Sequence, residues 1–277
     1  MDHHDDLFHR GLGADLSTLL DRRRMLRLIG GAGLVTLAGC GNGTDGTATG
    51  TTTATGAGTT TATTTEPAAS CEQIPEETAG PFPGDGSNGP NILSESGIVR
   101  GDIRSSFGSA SGVAEGVPLT INLRLLDTSN GCAALAGAAV YLWHCDAAGL
   151  YSMYSQDAAG ENYLRGVQEA DNTGTVTFTS IFPAAYAGRW PHIHFEVYPS
   201  LAKATNSADK IATSQLAFPK DVCEAVYATD GYQASVRNLA QTSLETDNVF
   251  RDGHDSQLAT VTGSVSAGYV ATLPVPV

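Results

Sequence analysis

Basic residues are scarce in this chain. Its 277 residues hold 15 Lys and Arg against 29 Asp and Glu, a formal net charge of −14. That balance argues against nucleic acid as a partner, because a phosphate backbone is bound by a basic surface. No Cys-x-x-Cys occurs, so the spacing of a zinc knuckle is missing. No apolar run approaches the ~20 residues that a membrane-crossing helix needs. Histidine is sparse too: of seven, His3, His4 and His9 sit in the first nine residues, leaving His144, His192, His194 and His254.

Residues 1–39 read as an export signal rather than as fold. Asp21-Arg22-Arg23-Arg24-Met25-Leu26-Arg27 is a twin-arginine stretch, followed by an apolar run from Leu28 to Ala38. The run ends in Leu37-Ala38-Gly39-Cys40, which resembles a bacterial lipobox. The expectation is export of a folded protein by the twin-arginine route. A lipidated Cys40 would then anchor it on the outer face of the cytoplasmic membrane, firmly if more than one acyl chain is attached. Residues 40–69 follow as a Gly/Thr/Ala-rich tether without apolar periodicity, too polar and small to offset its ordering entropy. Five acidic side chains (Asp2, Asp5, Asp6, Asp15, Asp21) and five basic ones (Arg10, Arg22, Arg23, Arg24, Arg27) lie in residues 1–39, so the exported part keeps the net charge of −14.

Residues 70–277 suffice for one domain with a core of its own, and they read as all-β: an antiparallel β-sandwich with a short helix and long loops. Leu119 to Leu126 alternates apolar and polar residues, as does Gly174 to Ile181 after the turn Asp171-Asn172-Thr173-Gly174. Ala138 to His144 is a β-rich apolar run, and Leu258 to Val261 with Tyr269 to Leu273 forms a closing pair around Gly263-Ser264. One helix is expected over Asp221 to Ala228, with Asp221 as its N-cap. Of the cysteines past Cys40, Cys71, Cys132, Cys145 and Cys223, four allow three full pairings. Cys132 and Cys223 are plausible partners, with Cys145 a buried thiol behind an apolar strand.

The chemistry concentrates in Tyr186-Ala187-Gly188-Arg189-Trp190-Pro191-His192-Ile193-His194 and in the upstream Tyr151. On a strand from His192 to Tyr198, Ile193, Phe195 and Val197 take the core face, while His192, His194 and Glu196 face the other way. Two imidazoles with two phenolates form a donor set that suits ferric iron better than zinc or copper(I). A copper or zinc sandwich oxidoreductase would want a third or fourth histidine. His144 reads instead as a packing or supporting residue, and His254 as a solvent-exposed turn residue. A sandwich binding module is the alternative from another class; it would have no need of Tyr151.

The chain resembles the intradiol ring-cleavage dioxygenases, in their exported form. The matching segments are Glu77-Thr78-Ala79-Gly80-Pro81-Phe82, Val99 to Arg104, Trp143 to Tyr151, Leu164 to Gln168, and Gly174 to His194 with Ile181-Phe182-Pro183. The resemblance implies a non-haem Fe(III) held by Tyr151, Tyr186, His192 and His194, with Tyr151 and His192 equatorial and Tyr186 and His194 axial. It implies that a catechol-type substrate and O2 react there, the ring opening between its two hydroxyl-bearing carbons to a cis,cis-muconate-type dicarboxylic acid. Tyr186 would leave the metal and accept substrate protons as a base. Arg189 would stabilise anionic character on the ring, and Gln215 matches a position that hydrogen-bonds near the same site. Tyr154 and Tyr163 match no ligand position and are assigned to lining or packing. Pro199 to Ile211 resembles an insertion, and the loop from Tyr186 to His192 is short, as in the exported forms. The helical N-terminal domain of the catechol-cleaving branch is missing, so that branch's dimer does not carry over. Catechol, hydroxyquinol, protocatechuate or a lignin-derived fragment all remain open as substrate, and a catalytically inactive family member anchored to the membrane stays as a second alternative.

Overall fold

The computed structural model describes residues 71–277, so the readings of an export signal, a lipidated Cys40 and a tether lie outside the described residues. Among the described residues nine strands form two sheets: β1 (Pro118–Asp127), β2 (Ala133–Ala134), β3 (Ala139–Trp143), β4 (Arg165–Glu169), β5 (Thr175–Ile181), β6 (His192–Tyr198), β7 (Ala212–Ala217), β8 (Thr260–Ser264) and β9 (Gly268–Pro276). In the five-stranded sheet β1 pairs antiparallel with β5 and β2 and parallel with β9, and β8 closes the edge beyond β9. The four-stranded sheet runs β4-β3-β6-β7, antiparallel throughout. The fold is thus the expected all-β sandwich, with one correction: the long pairing of Leu119–Leu126 with Tyr269–Pro276 is parallel. A strand that returns only after the whole second sheet is not bound to the hairpin direction.

The first sheet owes its place to period-2 patterning. Leu119, Ile121, Leu123 and Leu125 of β1, Val176 and Phe178 of β5, and Tyr269, Ala271, Leu273 and Val275 of β9 are buried on one face. They meet Val140, Leu142, Ile193, Phe195, Val197 and Leu216 of the second sheet in the main core.

The second sheet behaves differently. Every residue of β3, β6 and β7 is buried, so both faces are covered. The face carrying His192, His194 and Glu196 is not solvated. It lies beneath a second apolar cluster in which Ile92, Leu93, Ile98 and Phe82 of the N-terminal arm pack with Tyr141, Trp143, Tyr151 and Ala184. Arg165 clamps that arm from β4. Its buried guanidinium donates to Phe82 O, Pro83 O, Ser152 O, Ser152 Oγ and Tyr141 Oη. The start of the arm is fixed by Ile74 N donating to Pro276 O and by a disulfide between Cys71 and Cys132.

That disulfide corrects the expected Cys132–Cys223 partnership. Cys223 lies with Val226 and Tyr227 on the buried stripe of helix α1 (Lys220–Tyr227), at the i, i+3, i+4 spacing that faces the core, and is a free thiol. Cys145 is the second buried free thiol. Helix α1 starts one residue earlier than expected, with Pro219 in the N-cap place. Asp221 is therefore a first-turn residue near the positive end of the helix dipole, not the cap. A second helix, α2 (Gln233–Leu239), carries weaker periodicity and was not expected. The segment read as an insertion is the β6–β7 connection, which holds two single-turn 3-10 helices at Leu201–Lys203 and Ser207–Asp209.

Candidate metal centre

β6 opens with His192, so the histidine pair stands at the mouth of the second sheet, at the end where the arm and the loop from Pro183 to Pro191 meet. Gly188, at φ 82°, makes the reversal in that loop. Tyr186 and Arg189 flank it, and Arg189 N donates back to Tyr186 O. The loop from Asp146 to Leu164 brings Tyr151 in from the opposite side. Its turn is held by Ala148 N and Leu150 N, both donating to Asp146 Oδ1.

The four donor atoms converge. His192 Nε2 lies 3.1 Å from His194 Nε2 and 3.1 Å from Tyr186 Oη, and the two phenol oxygens of Tyr151 and Tyr186 are 3.4 Å apart. His192 Nδ1 meets Trp190 O at 2.5 Å. A carbonyl only accepts, so Nδ1 carries the hydrogen and Nε2 presents its lone pair to the cluster. His194 stacks on Trp143, with ring centres 5.0 Å apart and planes within 5°, and the two residues are directly opposed in the β3–β6 register. Tyr151 is backed by the Phe82 ring at 4.9 Å. Burial holds both imidazoles well below their ordinary pKa. The charge of Arg189 adds to this for His192, and His192 followed by Arg189 for His194. Burial, then the neighbouring Tyr186 phenol, lifts the Tyr151 phenol well above its usual value.

These residues fit a cation of mixed N/O preference. The single lone pair of His192 Nε2 is approached by Tyr186 Oη, His194 Nε2 and, at 3.5 Å, Arg189 Nη1. One imidazole lone pair cannot satisfy all of them. The buried Nδ1 of His194 has no hydrogen-bond partner among the described residues. Neutral imidazoles are the ligating form, and a bound cation reverses the penalty that burial places on phenolate. Among the described residues no group of three or more His, Cys, Asp or Glu could hold a metal. A metal centre here has to draw on the tyrosines.

Arg189 and Gln215 stand beside the donors. Gln215 on β7 is the register partner of His194. It accepts from Arg189 Nη2 at 2.6 Å and donates to Thr78 O of the arm at 2.9 Å. Arg189 Nε donates to Asp247 Oδ2 at 2.9 Å in a buried ion pair. Asp247 was not singled out from the sequence; it lies 58 positions from Arg189 in a segment without any motif. Glu77 opens the segment Glu77 to Phe82, and nothing in the sequence marks its carboxyl as part of the site. Its carboxyl is buried near Asp252, Arg189, Gln257 and Asp247 and is raised to about 8, by burial first and then by Asp252.

The remaining tyrosines and histidines stay out of the centre. Tyr154 Oη accepts from Gly84 N and donates to Asn88 Oδ1, and Tyr163 Oη donates to Asp146 Oδ2. His144 is spent on Cys145 O and Ser180 Oγ, each at 2.7 Å. His254 is half-buried rather than solvent-exposed, with Nδ1 3.3 Å from Phe250 O, because its turn folds back on Phe250.

The family model Dioxygenase_C, described as dioxygenase, matches residues 88–250, more than half of the chain and the part that holds all four donors, Arg189 and Gln215. The intradiol ring-cleavage dioxygenase from Tetranychus urticae is 26% identical, with 66% of this chain and 89% of that one covered and a TM-score of 0.53. A second solved structure, the dioxygenase Tetur07g02040, shares the fold at 23% identity, with 75% and 96% covered and a TM-score of 0.58. No curated protein sequence matches the chain. A dioxygenase family model over most of the domain, and an intradiol relative over nearly its whole length, make this chain a member of the intradiol ring-cleavage dioxygenase family.

Proposed function

We propose that Tyr151, Tyr186, His192 and His194 hold a non-haem Fe(III), and that the enzyme uses it to cleave a catechol-type aromatic with O2 between the two hydroxyl-bearing carbons, giving a muconate-type dicarboxylic acid. The observation that carries this reading is the convergence of two imidazole nitrogens and two phenol oxygens in a buried site, linked in the order His194, His192, Tyr186, Tyr151 by separations of 3.1, 3.1 and 3.4 Å. When bound, the ferric ion would supply Lewis acidity and draw electron density from a chelated catecholate.

The rest falls to the chain. His192 and His194 stay neutral and hold their lone pairs on the centre, His192 through Trp190 O and His194 through its stack on Trp143. Tyr186, on the short loop before β6, lies between His192 and Tyr151. It is assigned as the base that takes a catechol proton at its phenolate oxygen. Arg189, with Nη1 the nitrogen nearest His192, stabilises negative charge on the ring. Gln215 holds that guanidinium to the arm. Phe82, packed on Tyr151, and Trp143, stacked on His194, keep water from the donors. Twin-arginine export and lipidation at Cys40 belong to the same proposal on the strength of the sequence alone, and would place the substrate outside the cytoplasm.

The test is a visible spectrum with a parallel iron assay on the domain from residue 70 onward, for wild type and Tyr151→Phe. Phenolate-to-Fe(III) charge transfer should give a broad visible band that shifts on adding catechol and weakens in Tyr151→Phe. Iron-supplied wild type that stays colourless overturns the reading in favour of a binding module.

A further inference from the structure

The guanidinium of Arg189 is planar, and two of its three nitrogens are fixed: Nε on Asp247 Oδ2 at 2.9 Å and Nη2 on Gln215 Oε1 at 2.6 Å. Two bonds from different directions set the plane and leave Nη1 aimed towards the donors, 3.5 Å from His192 Nε2. Asp247 is itself fully oriented. Its Oδ2 also accepts from Trp190 N at 2.7 Å, and its Oδ1 accepts from Val249 N at 2.8 Å and Phe250 N at 3.3 Å. The carboxylate is thus built into the turn that follows it, and reaches back to the segment that presents His192. Arg189 is 3% exposed and Asp247 fully buried, so water does not stand in for either partner.

The charge also matters. A guanidinium this close to His192 opposes a cation held by the same nitrogen. Asp247 places a compensating negative charge on a different nitrogen of Arg189 from the one that faces His192. Asp247 touches none of the four metal donors, so it would act only through Arg189 and the Trp190 peptide.

We propose that Asp247 is a positioning residue for ring cleavage: it fixes the guanidinium of Arg189 in the orientation that meets the anionic substrate. This rests on the function proposed above. It predicts a loss in turnover without a loss of metal. Asp247→Asn keeps the size of the side chain, but its amide must turn an NH2 either towards Arg189 Nε and Trp190 N or towards the Val249–Phe250 turn. Asp247→Ser keeps a small acceptor with no charge.

The experiment uses iron-loaded protein and catechol in air-saturated buffer. Wild type, Asp247→Asn, Asp247→Ser, Arg189→Gln and the Asp247→Asn/Arg189→Gln double variant are compared for iron content, visible band, thermal unfolding, kcat and KM. Both Asp247 variants should keep iron and the band, lose about 100-fold in kcat from a guanidinium displaced by an ångström or so, and change KM less. The double variant should be no slower than Arg189→Gln alone. Turnover in the Asp247 variants equal to wild type per bound iron overturns the proposal, as do losses that multiply in the double variant. Loss of fold in both Asp247 variants overturns it in favour of a purely structural ion pair. A wild type that binds iron but turns over no catechol-type compound instead removes the function on which the proposal stands.

Discussion

Glu77 offers a test of the buried polar wall beside the centre that does not depend on turnover. Its carboxyl is raised from 4.5 to about 8, first by burial and then by the nearby Asp252, with Arg189 and Gln257 acting in the opposite direction. Below pH 4.5 the group is neutral in both the folded and unfolded chain. Between 4.5 and about 8 the unfolded chain has released the proton and the folded chain keeps it. Stability therefore falls by about 1.4 kcal/mol per pH unit across that window and levels off above it. Glu77→Gln keeps the size of the neutral acid and removes the ionisation. The difference in unfolding free energy between variant and wild type should be small near pH 4.5. It should favour the variant by about 3 kcal/mol at pH 7 and stop growing above about pH 8. Urea unfolding at pH 5, 6, 7 and 8, with both proteins in the same metal-loaded state, reads this directly, because titrating groups that do not interact with Glu77 cancel in the difference. A difference that stays flat from pH 5 to 8, or one that shrinks as pH rises, refutes a buried neutral Glu77.

Two further outcomes follow from the way the N-terminal arm is held over the second sheet. Cys71→Ser opens a link between residues 61 apart, and chain entropy alone assigns that closure about 4 kcal/mol; thermal unfolding should fall markedly, and so should that of wild type under reductant, while the reduced variant shows no further drop. Arg165→Met strips the donors from Phe82 O, Pro83 O, Ser152 and Tyr141. Leaving those oxygens buried should cost about 3 kcal/mol or more in denaturant unfolding. It should also raise KM for catechol through the displaced Phe82 wall; an unchanged midpoint and KM would show that the clamp is not needed.

What the sequence discloses here is local. Alternation in Leu119 to Leu126 and Gly174 to Ile181 marks β1 and β5, because the outer face of that sheet meets water and must stay polar. The same rule places His192 and His194 on one face of β6. It does not reveal that this face is buried: what covers it comes from Ile92, Leu93 and Ile98, a hundred residues away in the chain. β7 (Ala-Thr-Ser-Gln-Leu-Ala) and the first three residues of β4, which include the buried Arg165, carry no period-2 signal because they are covered on both sides. The disulfide is hidden for a related reason: spacing does not rank the pairings of four cysteines, and only the folded helix turns Cys223 into the core. The candidate donors are legible because two of the four stand two residues apart on one face of a strand and a third sits on the loop before it. Asp247 is not, since its tie to Arg189 exists only once the chain has folded.

In the function proposed for this chain, O2 would enter a catechol between its hydroxyl-bearing carbons at a centre that Tyr151, Tyr186, His192 and His194 would hold. The most direct measurement is mass spectrometry of the product formed from catechol under 18O2 by the iron-loaded domain. The expected product is a ring-opened dicarboxylic acid that carries both labelled atoms, one in each new carboxyl group, with none formed by Tyr186→Phe/His192→Ala protein. A product with a single label, an extradiol semialdehyde, or unreacted catechol from iron-loaded protein would contradict it.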